Sequence, residues 1–170
     1  MVDNLFTKSV IFICEHNSNG AVGLIINKRL DAVLSSQIYG DLNKKVDGNL
    51  DQSSPLYLGG PVSVERGIML HDKKILLNSS VEVSKNLFMS SHLDILRMAH
   101  KNSKCSYKFM MGYSGWSSGQ LENELENGDW IIQDTSADFV FNCKDDQMWK
   151  MAIGSYGFDI SNLSSHGAKA

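Results

Sequence analysis

Val10-Ile11-Phe12-Ile13-Cys14 and Ala21-Val22-Gly23-Leu24-Ile25-Ile26 are two unbroken apolar runs, separated by Glu15-His16-Asn17-Ser18-Asn19-Gly20. Continuous runs of this length read as strands covered on both faces. Asn19-Gly20 is a two-residue hairpin signal, because both residue types tolerate positive φ. A turn there pairs Ser18 with Ala21, His16 with Gly23 and Cys14 with Ile25. His16 is then expected to stand over a glycine, with open space where a side chain would have been.

Working outward from this hairpin, Asp31 to Tyr39 reads as a short helix and Gly40 to Ser54 as a polar surface excursion. Tyr57-Leu58 runs into a forced turn at Gly59-Gly60-Pro61-Val62. Gly67 to Leu70, Ile75 to Leu77, Val81 to Val83 and Leu87 to Met89 read as strands. Ser91-His92-Leu93-Asp94 fits a helix cap, in which a side-chain oxygen meets a free N–H, and the helix runs to about His100. Tyr107 to Gly112 is the next strand, and Gly112 to Gln120 turns it into a helix with Leu121 and Leu125 on its buried stripe. Trp130 to Gln133 and Phe139 to Phe141 read as strands. Asp145 caps a last helix, along which Met148, Trp149, Ala152, Ile153 and Tyr156 recur at helical spacing. Strands come in adjacent groups rather than alternating with helices, which indicates an α+β fold. No linker divides residues 1–170, so one domain is expected.

Composition narrows the function. At 170 residues with 42% hydrophobic content, the chain has the size and make-up of one globular domain. It lacks the long apolar run of a membrane span, and its start does not read as a signal peptide, so a cytosolic protein with no membrane partner is expected. The three cysteines are widely spaced, and Cys14 and Cys143 follow apolar stretches, which suits reduced thiols rather than a disulfide framework. Net charge is −3, and the only arginines are Arg29, Arg66 and Arg97. Nucleic-acid binding draws on clustered basic residues, so no direct contact with nucleic acid is expected.

Three stretches together carry a resemblance. They are Asp3-x-x-Phe6-x-x-Ser9-Val10 leading to Glu15-His16 and Gly20-Ala21-x-Gly23-Leu24-x-x-Asn27; Gly59-Gly60-Pro61-Val62 leading to Gly67 and Leu70-His71; and Gly112-Tyr113-x-Gly115-Trp116-x-x-Gly119-Gln120-Leu121-Glu122-x-Glu124-Leu125 leading to Gly128-x-Trp130. In this order the chain resembles the YqgE/AlgH family of bacterial proteins, and the likeness runs on through Trp149 and Gly157-x-Asp159. The resemblance implies a mixed, split β-sheet, partly closed like a small barrel, with helices around it. It also implies a strand-forming segment ahead of the position of Asp3. The family has no settled molecular function, and some members carry a transcriptional-regulator label.

Glu15, His16, Gly59, Gly60, Pro61, His71, Trp116 and Gln120 are the candidate binding residues. His16 and His71 each end an apolar strand, and Glu15 is placed to orient an imidazole. Trp116 offers an apolar wall, Gln120 hydrogen bonds, and the glycines close backbone approach, the mix of a small-ligand cleft. Satisfied structural histidines are the plainer reading. No Cys-x-x-Cys or His-Glu-x-x-His spacing offers a metal site, and the Gly112–Gly119 run lacks the lysine of a phosphate-binding loop, so no cofactor is expected. Gly115-Trp116-Ser117-Ser118-Gly119 is a literal G-x-S-x-G, for which Asp134, Asp138 or Asp159 and then His166 would complete a triad. A tight strand-to-helix turn explains the same glycines. The leading expectation is a binding or regulatory domain that recognises a small molecule or a protein partner. A hydrolase using His16 or Ser117, and a transcriptional regulator, are its rivals.

Overall fold

The structure is a computed structural model that describes residues 3–46, 49–72, 78–102 and 104–155. In chain order its elements are α1 (Asp3–Phe6), β1 (Ile11–Asn17), β2 (Gly20–Ile25), α2 (Ala32–Val46), β3 (Leu56–Leu58), β4 (Val62–His71), β5 (Val81–Ser84), β6 (Leu87–Ser90), α3 (Asp94–Lys101), β7 (Tyr107–Ser117), α4 (Gln120–Glu126), α5 (Ala137–Asn142) and α6 (Asp145–Gly154). The strands form one sheet in the order β1-β2-β7-β4-β6-β5, with β3 paired to β7 as its parallel member. The sheet curls until β1 and β5 touch, so it is a nearly closed, mostly antiparallel barrel with helices around it. This is the α+β architecture expected from the sequence.

Strict alternation along the central strands divides the interior in two. Phe109 and Met111 of β7, Met69 of β4 and Leu56 of β3 face a core completed by Tyr39, Leu42 and Val46 of α2 and Ile95, Leu96 and Ala99 of α3. Met110 of β7, Ile68 and Leu70 of β4 and Tyr57 of β3 face the other way, onto Phe12, Leu24, Ile26, Val140 and Met148. Successive side chains of a strand point to opposite faces, so a strand buried on both sides must be apolar throughout. Lys108 breaks that rule on β7, and it is buried there.

Several expectations are corrected. The hairpin turn is Ser18-Asn19, with Asn17 opposite Gly20, His16 opposite Ala21 and Ile13 opposite Gly23, and a bulge falls between Ile13 and Glu15. Asn17 Oδ1 accepts from the Asn19 amide at 2.8 Å and shapes the turn locally. Gly20 serves close approach instead: at φ +134° its backbone lies against β7, and a Cβ would sit 2.0 Å from the Trp116 carbonyl oxygen. No open space lies over Gly23, where a Cβ would meet Ile11 at 2.6 Å. β1 is an edge strand covered mainly on one face, with Phe12 buried and Ile13 exposed.

The helix after Asp31 is longer than expected and takes in much of the predicted excursion. Asp31 Oδ1 caps it by accepting from the Leu34 amide at 2.9 Å. Residues 131–135 form no regular structure, and Phe139 to Phe141 are helical rather than extended. Ser136 Oγ accepts from the Phe139 amide and starts α5, which turns Val140 into the core. Asp145 is the first residue of α6 and makes no capping bond, because its carboxylate is engaged elsewhere. The predicted strand at Ile75 to Leu77, and Tyr156, Asp159 and His166, lie outside the described residues.

Candidate functional site

Four of the expected residues gather where the β1–β2 hairpin meets α4. His16 Nε2 lies 2.6 Å from Glu122 Oε1, with both side chains about half exposed. That hydrogen bond holds the Glu122 carboxyl below the usual carboxylate range. Its other oxygen, Oε2, is shielded from solvent and has no hydrogen-bond partner among the described residues. Glu15 turns aside and accepts from Asn17 Nδ2 at 2.7 Å. Two residues along α4, Glu124 Oε2 accepts from the indoles of both Trp116 (2.8 Å) and Trp130 (2.7 Å), while Gln120 Nε2 donates to Oε1 at 2.9 Å. Burial pushes the Glu124 carboxyl up, but the bonds from Trp130, Gln120 and Trp116 outweigh it and leave it low.

Trp116 is not the wall of an open cleft. Its ring is buried among Ala21, Leu121, Leu125 and Trp130, and it meets Trp130 edge-on at 6.1 Å. Gly59 and Gly60 pack against the backbone of Gly112 to Ser114, where a Cβ on Gly60 would lie 2.2 Å from the Tyr113 carbonyl carbon. Pro61 is exposed beside them. The glycines are therefore spent on strand packing, not on a ligand. His71 is elsewhere: it pairs with Tyr107 at the opposite end of β7, nine residues from Trp116 and so roughly 30 Å away at the rise of a strand. It is fully buried, stacked on Phe88, with Nε2 3.0 Å from Ser90 Oγ.

Ser117 lies on β7 rather than at an elbow, and its hydroxyl donates to Gln120 Oε1 at 3.2 Å. His16 faces Glu122 instead of this serine. Neither Asp134 nor Asp138 bonds to a histidine among the described residues; Asp138 accepts from Asn142 Nδ2 at 2.6 Å.

The most heavily built polar centre was not foreseen. Lys108 Nζ donates to Asp145 Oδ1 at 2.7 Å and to the Ile26 carbonyl at 2.8 Å, and stands 4.4 Å over the Tyr57 ring. Arg29 Nε reaches Asp145 Oδ2 at 2.5 Å, and the Tyr57 hydroxyl donates to the same oxygen at 3.1 Å. Burial lowers the Lys108 ammonium even against the pull of Asp145. Burial raises the Asp145 carboxyl, but its cationic and phenolic partners prevail and hold it low. Tyr57 is pushed up to about 12, mainly by burial and then by the Asp145 charge. Three side chains converge on one carboxylate, the Lys108 side chain only 5% exposed and the Arg29 side chain 60% exposed. This arrangement anchors the start of α6 to β3, β7 and the end of β2.

Beside that anchor, α5 and α6 leave an open groove of about 380 Å³ lined by Phe139, Cys143, Met151, Asp138, Asn142, Lys144 and Gln147. Its surface is mostly apolar. The Cys143 thiol is raised, by burial first, which keeps it protonated and weakly nucleophilic. Cys14 is pushed up to about 12 by burial, and all three cysteines are free thiols.

A family model described as AlgH-like, DUF179, matches residues 1–161. The chain belongs to this AlgH-like family. A UPF0301 protein of Vibrio parahaemolyticus is 36% identical over 181 residues, spanning all of this chain and 93% of the relative. Another, from Ruegeria pomeroyi, is 37% identical over 172 residues, again spanning all of this chain and 93% of the relative. The solution structure of the AlgH protein from Pseudomonas aeruginosa superposes with a TM-score of 0.75 at 28% identity, covering 100% of this chain and 90% of that one. A crystal structure from Corynebacterium diphtheriae shares the fold, with a TM-score of 0.61 at 20% identity over 83% of this chain and 73% of that one.

In this AlgH-like chain the Asp145 anchor left one trace in the sequence. Tyr107-Lys108-Phe109-Met110-Met111 is an apolar strand with a lysine inside it. A lysine on a doubly covered strand demands a buried carboxylate, although its position cannot be read from spacing. The groove left no comparable signal, because Phe139-Val140-Phe141 has the composition of a strand rather than a helix.

Proposed function

We propose that this AlgH-like chain acts in the cytoplasm as a binding or regulatory domain, and that it docks a protein partner in the groove between α5 and α6. The observation that carries this reading is the groove itself: open, largely apolar at Phe139, Cys143 and Met151, and rimmed by Asp138, Asn142, Lys144 and Gln147. An exposed apolar patch with a polar rim is the usual mark of a protein interaction site. Met151 is 57% exposed, and Ile131 and Ile132, in the segment leading into α5, are 52% and 63% exposed. Such side chains suit one or two anchoring residues of a partner better than an enclosed metabolite, which needs a deeper pocket. At the hairpin corner Trp116 is buried and Gly60 is packed on the backbone of Tyr113 and Ser114, which favours the groove as the docking surface. Direct DNA binding has little support, since Arg29 and Arg97 are both engaged by carboxylates.

The test places a photo-crosslinking residue at Met151 and, as a control, at exposed Lys44 of α2. A discrete protein adduct from position 151 alone, diminished by Gln147→Arg in the groove rim, is the expected result. Identical adduct patterns from both positions would overturn the reading.

A further inference from the structure

The chain has three arginines, and two are neutralised: Arg29 by Asp145 and Arg97 by Asp94. Arg66 has no carboxylate partner among the described residues. Its one hydrogen bond there is long, from Nη2 to Ser91 Oγ at 3.4 Å. It stands over a small hollow of about 90 Å³ lined by Arg66, Ser79, Ser90, Ser91 and the apolar Ile68, Val81 and Met89. The floor is rigid. Ser90 is 2% exposed, and its hydroxyl lies 3.0 Å from Nε2 of fully buried His71 and 2.8 Å from Ser80 Oγ.

We propose that this hollow is an oxyanion-binding site, for a phosphate or carboxylate group, in which Arg66 supplies the charge and Ser79 and Ser91 supply hydroxyl donors. A guanidinium presents donors in a planar fork that matches such groups, and its bonds to anions are stronger than neutral ones. Serine hydroxyls rotate to donate to the acceptor oxygens of such an anion. The volume suits a head group rather than a whole metabolite, since a liquid water occupies about 30 Å³. Ile68, Val81 and Met89 give the remainder of an organic anion a short apolar wall. This site is separate from the α5–α6 groove and does not depend on it. It also gives His71 a role, which is to fix Ser90 from behind.

The experiment is an NMR titration of the full chain with inorganic phosphate, phosphoserine or acetate, each against chloride at matched ionic strength. Saturable shifts at the amides of Ser79, Ser90 and Ser91 are expected with at least one oxyanion and not with chloride. Arg66→Gln, at an exposed position that leaves the core intact, should weaken that binding about tenfold or more, whereas Arg97→Gln should not. Tighter binding of phosphoserine than of phosphate identifies a monoester head group, and the reverse identifies the free anion; either supports the site. Equal shifts in chloride, or binding unchanged by Arg66→Gln, overturns it.

Discussion

Asp145 and Glu124 both tie a helix to the sheet, yet they do so by opposite means. Asp145, on the first turn of α6, answers a buried ammonium, a largely exposed guanidinium and a phenol. Glu124, on α4, answers only neutral donors, two indoles and an amide, at the edge of a small aromatic cluster. A buried charge pair is held in place chiefly by the penalty for breaking it, because removing one partner strands the other without solvent. A carboxylate fed by neutral donors leaves no charge behind when it is lost. The two sites should therefore fail differently, and by different amounts.

The largest effect belongs to Asp145→Ala. It leaves Lys108 buried without its counter-charge, so a loss of about 3–5 kcal/mol is expected in urea denaturation. Replacing both members with apolar residues, Lys108→Met with Asp145→Leu, should recover much of that loss, since no charge is then stranded. A double variant as damaged as the single one would break the comparison.

The pH dependence sharpens it. The Lys108 ammonium is lowered by burial, so the unfolded chain binds the proton more tightly between the folded value and the ordinary 10.5. Stability linked to this lysine therefore rises as pH climbs through that window, and the burial penalty is fully present below it. Asp145→Ala removes the partner that pulls the lysine upward, so relief should begin at lower pH in the variant. At the acid end both carboxylates are lowered from ordinary values of 3.8 (Asp145) and 4.5 (Glu124). Their stabilisation is present above those values and lost as pH falls through the folded ones. Urea midpoints measured across pH for Asp145→Ala and the wild type check both limbs; parallel alkaline limbs would contradict the stranded lysine.

Glu124→Leu should cost less. It strands two indole N–H groups, each worth about 1–3 kcal/mol if it stays dry. Trp130 is only half-buried and can turn to water, which places the expected total near the lower end, about 2 kcal/mol. Loss of near-ultraviolet dichroism from the edge-on Trp116–Trp130 pair, with α6 intact, would localise the damage to this corner.

The same contrast explains what the sequence discloses. Strands announced themselves by continuous apolar runs, and Leu121 and Leu125 marked the stripe of α4, because burial leaves a period. The family motif around Gly112–Trp130 brought Trp116, Gln120 and His16 to one corner. What it suggested as a cleft is a packed joint, since glycine permits close backbone approach whether a ligand or a strand arrives. α5 is hidden in the sequence, since Phe139-Val140-Phe141 has strand-like composition and the Ser136 cap that starts the helix is a single hydroxyl. The Asp145–Lys108 pair joins residues 37 apart, and no local pattern encodes a contact at that range.

The smallest effect is expected where the corner looks most like a site. His16 and Glu122 form a short pair, but both are about half exposed, and exposed pairs are screened by water and salt and add little to stability. His16→Ala should leave the melting temperature within the scatter of replicate runs, at low and high salt alike. Ser117→Ala should do the same, since it removes one exposed hydroxyl from Gln120 while the Ser117 amide still donates to that side chain at 3.0 Å. The opposite result has a definite meaning. Glu122 Oε2 is shielded and has no partner among the described residues, so His16 is the contact that orients this carboxylate. If His16→Ala proved as costly as Glu124→Leu, the hairpin and α4 would be joined through a desolvated carboxylate of the Asp145 kind. The division between charged anchor and neutral clamp would then fail at this corner.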